Sequence, residues 1–368
     1  MEHDTTSPNT SVHGMRPTLA ATMWVALAIF LTALDIHFVS ANIGINGYLE
    51  SLQVSQGVFD GLPTWRIYQN RILGPYLIHG IERLFGLSSL VAYISFIASC
   101  LFITKLIVIR FGLRHTGNVT STLLMLISGS LLFAMLSSSR WLYPWDAMGL
   151  VLSAAFVVMV LRGTSWPWFI PLIAAAFLNR ESGIFICVWL FVQGWLGYGE
   201  GAGRKPPNIG MMVAAGAAAL LGLAETEWLR AHLLIKEINP EVLHIPTPVG
   251  TSWFHWQAGN NLANFFTCLA SKSFSLPVIF YIFPLTGIAI AIALGVRRYP
   301  ADTALCLAYG INLVFIFLFG LVMESRVMIE IIPFFSVFLP YVATGTVFHK
   351  PFAGARDDGS PKASSANR

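Results

Sequence analysis

A chain of 368 residues that is 55% hydrophobic and only 11% charged departs far from soluble domains, where about 25% of residues are charged. The apolar excess runs along the whole length, which excludes a soluble domain with one anchor and points to a single polytopic membrane domain. The net charge of +4 sits in loops and tails, where it sets orientation in a bilayer, and no basic patch with interleaved aromatics argues for a nucleic-acid partner.

A polar tail, 1–16, reads as disordered and leads into the first apolar run, Leu19–Ser40. Val39-Ser40-Ala41 imitates a signal-peptidase site faintly, but Asp35 and His37 interrupt the run just before it, so we read an uncleaved first helix. Asp35 at the outer end of that helix, and Asp60 in the loop beyond it, are candidate catalytic bases; a plain helix-end polar group is the other reading of Asp35. Residues 41–86 form a first external loop. Within it, Ile67, Ile72, Leu77, Ile78, Ile81 and Phe85 trace one face of a predicted interfacial helix. Arg66 and Asn70 are four apart and share a face; with Arg71 they offer forked N–H donors suited to a phosphate or diphosphate, or else snorkel to lipid headgroups.

The second run, Leu87–Ile109, ends on Arg110, Arg114 and His115, and the third is Val119–Ser137. Arg140-Trp141-Leu142-Tyr143-Pro144-Trp145-Asp146 then joins it to the fourth, Ala147–Leu161, which Arg162 follows. Pro144 suits a helix start. Asp146 reads either as an N-terminal capping acceptor or as an acid at the bundle rim with Arg140 as partner and Tyr143 beside it. Trp168–Leu196 is too long for one simple span and is broken by Asn179-Arg180-Glu181-Ser182. We split it into two short helices with the polar break at the tip. An adjacent Arg and Glu inside such a stretch must be ion-paired or must line a water-filled cavity.

Arg204 and Lys205 precede the next run, Ile209–Ala224. A second external loop, 225–275, mixes Trp228, Leu229 and Leu233 with Glu225, Glu227, Arg230 and Lys236 in an amphipathic pattern, and Trp253, His255 and Trp256 read as a headgroup-level belt. Leu276–Val296, followed by Arg297 and Arg298, and Ala304–Met323 are further spans. Glu324-Ser325-Arg326 opens the last, Met328–Phe348, where Arg326 and Glu330 are spaced as an i,i+4 pair. The tail, 349–368, reads as disordered.

The positive-inside rule unites these elements. With ten segments and a cytoplasmic N-terminus, Arg110/Arg114, Arg162, Arg204/Lys205, Arg297/Arg298 and the basic tail all face the cytoplasm. An unbroken fifth helix would invert everything after it. The expected fold is therefore all-α, one integral bundle over 17–348 with both termini cytoplasmic and its acid and arginine motifs on the external face. Cys100, Cys187, Cys268 and Cys306 lack metal-ligand spacing and read as small hydrophobes. No nucleotide or dinucleotide fingerprint and no metalloprotease motif is present, so no cofactor is implied, with a divalent cation left open.

Gln69-Asn70-Arg71-Ile72-Leu73-Gly74-Pro75, Tyr143-Pro144-Trp145-Asp146, Asn179-Arg180-Glu181-Ser182 and Glu324-Ser325-Arg326 are similar to motifs in bacterial multi-pass proteins grouped near the GT-C superfamily of integral-membrane glycosyltransferases. The layout over 19–348 resembles that superfamily too: a first helix, a large external loop with an amphipathic helix, then short broken helices. The resemblance implies a sugar donor on polyprenyl phosphate, a glycan or lipid acceptor, and chemistry at the periplasmic face of a bacterial inner membrane. It also implies an acidic base in or just before the first external loop, a role that falls to Asp35 or Asp60, although the paired acids frequent in that loop are absent.

The residues fit such chemistry on their own terms. Sugar transfer from a lipid phosphate needs a base for the acceptor hydroxyl, cations for the departing phosphate and a lipid-accessible groove. Asp35, Asp60, Asp146 or Glu181 are candidates for the first. Arg66, Arg71, Arg180 and Arg326 are candidates for the second, with Asn70, Arg140, Tyr143, Asn179 and Glu324 as further binding residues. A polysaccharide polymerase, a transporter for a lipid-linked or anionic solute, and a non-enzymatic assembly protein are the competing classes.

Overall fold

The computed structural model describes residues 17–62, 68, 70–137, 141–197, 206–233, 257–270, 300–319 and 325–342, and among these every regular element is helical. In chain order they are α1 (Pro17–Phe59), α2 (Leu73–Phe85), α3 (Ser89–Phe111), α4 (Val119–Leu136), α5 (Pro144–Leu161), α6 (Phe169–Asn179), α7 (Ile184–Leu196), α8 (Ile209–Leu233), α9 (Ala258–Ala270) and α10 (Pro300–Phe319), followed by a 3-10 segment, Ser325–Ile331. Six of them (α1, α3, α4, α5, α8 and α10) are long and apolar enough to cross a membrane. Ile29, Phe30, Leu131, Leu220 and Leu221 project outward from these helices, as a bundle solvated by acyl chains permits and water disfavours. The protein is a multi-pass membrane helix bundle.

The 168–196 stretch divides as its polar break predicts. Helix α6 ends at Asn179, Arg180 adopts an extended backbone (φ −171°, ψ 154°), and a single 3-10 turn at Glu181–Gly183 leads into α7. The turn is tight: a Cβ on Gly183 would come within 2.9 Å of the Phe177 backbone nitrogen. Neither helix spans a bilayer alone, since 11 and 13 residues at 1.5 Å per residue cover less than the roughly 30 Å of a hydrocarbon core.

Three boundaries differ from the sequence expectation. The first helix does not stop at Ser40 but turns at Gly44 (φ 61°, ψ −178°) and continues to Phe59. Beyond the kink, Tyr48, Ser51, Leu52, Ser55 and Val58 are buried, a 3–4 spacing that gives the extension its own packed face. The interfacial helix begins at Leu73, so Asn70 and Arg71 stand in the turn before it and not on its face. Helix α8 runs through Ala224 to Leu233, carrying Glu227 and Arg230 in helix. The last run is helical over the described residues but irregular. Its 3-10 start gives way to a wide π turn, Phe334–Phe338, just after Pro333, which lacks the N–H needed for a regular ladder. The predicted span Leu276–Val296 and the belt at Trp253, His255 and Trp256 lie outside the described residues.

Helices α3 and α5 form the centre, with α1 and α4 against α3, and α7 wedged between α8 and α10. Near the start of α3, the Tyr93 hydroxyl donates to the Leu142 carbonyl just ahead of α5, so the two helices run side by side in the same direction. Gly74 lets α2 sit directly on the start of α5, because a Cβ there would lie 2.6 Å from that of Pro144. The start of α5, the turn before α2, the α6–α7 break, the end of α8 and the Ser325–Ile331 segment thereby meet at one end of the bundle.

Candidate functional site

At that end, among the described residues, four arginines interleave with three carboxylates, with a fourth, Glu227, at the rim. Pro144 fixes the start of α5, and Asp146, in its first turn, accepts a hydrogen bond from the Tyr143 N–H at 3.0 Å. The same carboxylate, fully buried, faces Arg326 at 3.3 Å and Arg180 at 3.6 Å. Capping and ion pairing are thus one arrangement: the cap fixes the carboxylate, and the carboxylate draws two guanidinium groups to the helix start. Arg180 also reaches toward Glu330, 3.8 Å away. Glu181, on the other side of the break, bridges Arg71 at 3.4 Å and Arg230 at 2.5 Å. Arg230 in turn contacts the Asn70 side-chain oxygen at 3.3 Å and Glu227 at the more exposed rim.

Aromatic rings frame the cations. Tyr68, Tyr143 and Trp145 pack against one another with centroids 4.7–5.7 Å apart. The Arg71 guanidinium lies 4.8 Å from the Tyr68 centroid and 5.3 Å from that of Trp145, and Arg326 lies 4.3 Å from Tyr143. The ring faces attract the cations and exclude water from one side of them. Burial pushes the Arg71 guanidinium below its usual range, and the neighbouring Glu181 carboxylate opposes that shift. Asn179 anchors the α6 end by donating from its amide to the Trp145 carbonyl at 2.9 Å.

Several buried polar atoms here have no hydrogen-bond partner among the described residues. The donors are Asn70 Nδ2, Arg71 Nε and Trp145 Nε1; the acceptors are Asn179 Oδ1 and Glu330 Oε1. A buried donor without an acceptor costs about 1–3 kcal/mol, so such groups gathered in one place suit a polar occupant, whether water or a ligand. Beside the cluster, an open cleft of about 470 Å³, its mouth included, extends down α5 from Gly149 to Phe156 and is walled by Asn179, Ser182, Tyr309, Asn312 and Glu330. The Ser153 and Tyr309 hydroxyls pair across it at 2.8 Å. Gly149 makes room for Glu330: a Cβ there would lie 2.7 Å from Glu330 Oε1.

Of the residues singled out in the sequence, Asn70, Arg71, Tyr143, Asp146, Asn179, Arg180, Glu181 and Arg326 converge in this one cluster. Asp60 lies at the same end, because Val58, two residues before it, packs with Tyr143 and Trp145; its side chain is exposed and makes no ion pair among the described residues. Asp35 lies elsewhere. It is buried within the bundle, ion-paired with Lys105 of α3 and near the Ser130 hydroxyl of α4, because α1 continues past it and places it mid-helix, not at the helix end. Arg66, Arg140 and Glu324 lie outside the described residues.

Two charged members went unrecognised as site residues. Arg230 belongs to a segment whose amphipathic pattern suggests an interfacial helix, and only the unbroken run of α8 carries it into the cluster. Glu330 has the spacing of an i,i+4 partner for Arg326, yet it faces Arg180. In a 3-10 segment residues three apart eclipse, so four apart no longer share a face. Among the described residues no three His, Cys, Asp or Glu side chains are grouped to hold a metal ion. The cluster carboxylates instead face guanidinium groups, an arrangement that does not fit a cation-binding set. No protein-family model, curated protein or solved structure matches the chain.

Proposed function

We propose that this protein is an integral-membrane glycosyltransferase that takes a sugar from a polyprenyl-phosphate donor at the external face of a bacterial cell membrane. The observation that carries the reading is the juxtaposition of two half-sites. Arginines with buried, acceptor-less donors beside them suit a phosphate. A cleft lined by hydroxyls, amides and one carboxylate suits a hydroxyl-bearing group next to that phosphate.

In this scheme Arg71 and Arg326, with Asn70 and Trp145 N–H donors, hold the donor phosphate, and the apolar flank of the bundle accommodates its lipid. The acceptor oxygen forms a bond to the anomeric carbon while the bond from that carbon to the phosphate oxygen breaks. The electron pair leaves on the phosphate, where the guanidinium groups stabilise the growing charge, and the acceptor proton passes to a carboxylate. Asp146 and Glu181 are each committed to two arginines. Glu330, with one arginine at 3.8 Å and a place in the cleft wall, is the base the geometry favours. Family resemblance implies Asp35 or Asp60 as base; Asp35 lies away from the cluster, paired with Lys105, so Asp60 is the alternative. The residue set calls for no step through a metal.

The test is incubation of the purified full-length protein with a panel of polyprenyl-phosphate sugars, reading release of the free lipid phosphate. Release that falls about 100-fold or more in Glu330→Gln, with donor binding retained, is the expected result, since a positioned base contributes about 10²–10⁴-fold. The same loss in Asp60→Asn would move the role there. No release across a broad panel, with lipid-phosphate binding intact, would favour a carrier for a lipid-linked or anionic solute, a reading to which the depth of the cleft between α5, α7 and α10 also lends itself.

A further inference from the structure

At the opposite end of the bundle, the C-terminal ends of α3 and α5 frame an open cavity of about 530 Å³, its mouth included, lined by the exposed Arg110, Arg114 and Arg162 and the half-buried His115. Its remaining walls are apolar, among them Val158 and Met159. Among the described residues no carboxylate lines it, and none of the three arginines has a carboxylate within ion-pairing distance. The contrast with the other end is sharp, since every arginine described there is ion-paired. Positive charge at helix ends follows from orientation in a bilayer, but that rule spreads basic residues along a rim and does not require them to share one cavity.

The cavity is preorganised. Helix α3 widens into a π turn, Gly112–Thr116, which carries Arg114 and His115, and both line the cavity alongside α5 residues. The turn is locked against α4, because a Cβ on Gly112 would collide with the Thr122 side chain. His115 stacks on Phe111 at 5.1 Å, and Phe111 packs on Tyr341 at 5.5 Å. Cations held together without counter-ions repel one another, and a phosphate group between them removes that repulsion while filling forked N–H donors.

We propose that this cavity is a binding site for the phosphodiester headgroup of an anionic phospholipid, with the arginines on the phosphate and an acyl chain along Val158 and Met159. The depth argues for lipid over free phosphate. Arg110 and Arg162 cap helices whose apolar bodies are long enough to span a bilayer, which sets the cavity at headgroup level, and half its wall is apolar. The site is independent of the transfer reaction at the other end.

The test is native mass spectrometry of the full-length protein in detergent, titrated with phosphatidylglycerol and, separately, phosphatidylcholine. Retention of phosphatidylglycerol in clear preference is expected, with the preference falling about fivefold for each of Arg114→Gln and Arg162→Gln, the usual worth of one basic residue at an anionic headgroup. Arg162→Lys should keep most of it. Thermal unfolding of each variant without lipid should match the parent, which separates lost binding from lost folding. Equal retention of the two lipids, or displacement of phosphatidylglycerol by millimolar-range inorganic phosphate, would overturn the lipid assignment. An unchanged preference in both glutamine variants would do the same for the site.

Discussion

Asp146 and Glu330 sit within reach of the same arginine, yet their surroundings assign them different work. Asp146 is fully buried, caps α5 and answers two guanidinium groups. Asparagine at 146 would still accept from the Tyr143 N–H but would leave Arg180 and Arg326 without their shared counter-ion. Breaking a buried pair from one side costs about 3–5 kcal/mol, so Asp146→Asn should lower the unfolding midpoint in detergent markedly and abolish activity along with it. Glu330 faces a single arginine at the edge of ion-pairing distance and opens onto the cleft. Glu330→Gln should therefore change the unfolding midpoint little while suppressing the proposed sugar transfer. Equal destabilisation in the two variants would mean that Glu330 is a second structural partner of Arg180 and not a base.

At the scale of elements, glycines set where helices turn and touch. Gly44 holds α1 in a backbone region open essentially only to glycine, so Gly44→Ala carries about 1–3 kcal/mol of strain and either lowers stability by that amount or straightens α1. Straightening would carry Glu50 away from the Trp141 indole N–H that it accepts from at 2.7 Å, loosening the strand of chain that leads into Tyr143. Gly149→Ala acts between elements: its methyl would enter the space of the Glu330 carboxylate. The variant should mimic Glu330→Gln in activity while keeping the Asp146 ion pairs.

The sequence made the cluster legible where a charge interrupts an apolar run, because placing Arg180, Glu181 or Asp146 at membrane depth is too costly to be accidental. It hid Arg230 and Glu330 because hydrophobic periodicity reports which face is apolar. It does not report whether a helix runs on past its apolar stretch, as α8 does, or winds with three residues per turn, as 325–331 does. Asp35 shows the same limit from the other side. A break in hydropathy at Asp35 and His37 resembles a helix end, but the Lys105 partner that lets the helix continue is 70 residues away.

Seen whole, the bundle has two polar ends of different character. One holds arginines answered by carboxylates around a cleft; the other holds arginines that pair with no described carboxylate. Helices α3 and α5 tie the two together, since both start at the first end and finish at the second. The positive-inside rule leads us to expect these arginines in the cytoplasm; the proposed function then needs the cluster and Asp60 outside, facing the lipid-linked sugar. Single cysteines at Asp60→Cys and Arg114→Cys, in a chain whose native cysteines are replaced, test this directly. A membrane-impermeant maleimide should label the first in intact cells and the second only after the membrane is opened. Labelling of both from one side would contradict the placement of the two residues at opposite ends. A reversed pattern would keep the site geometry but move its chemistry to the cytoplasmic leaflet. The donor would then have to be met on the face where it is made, before any step that carries it across the membrane.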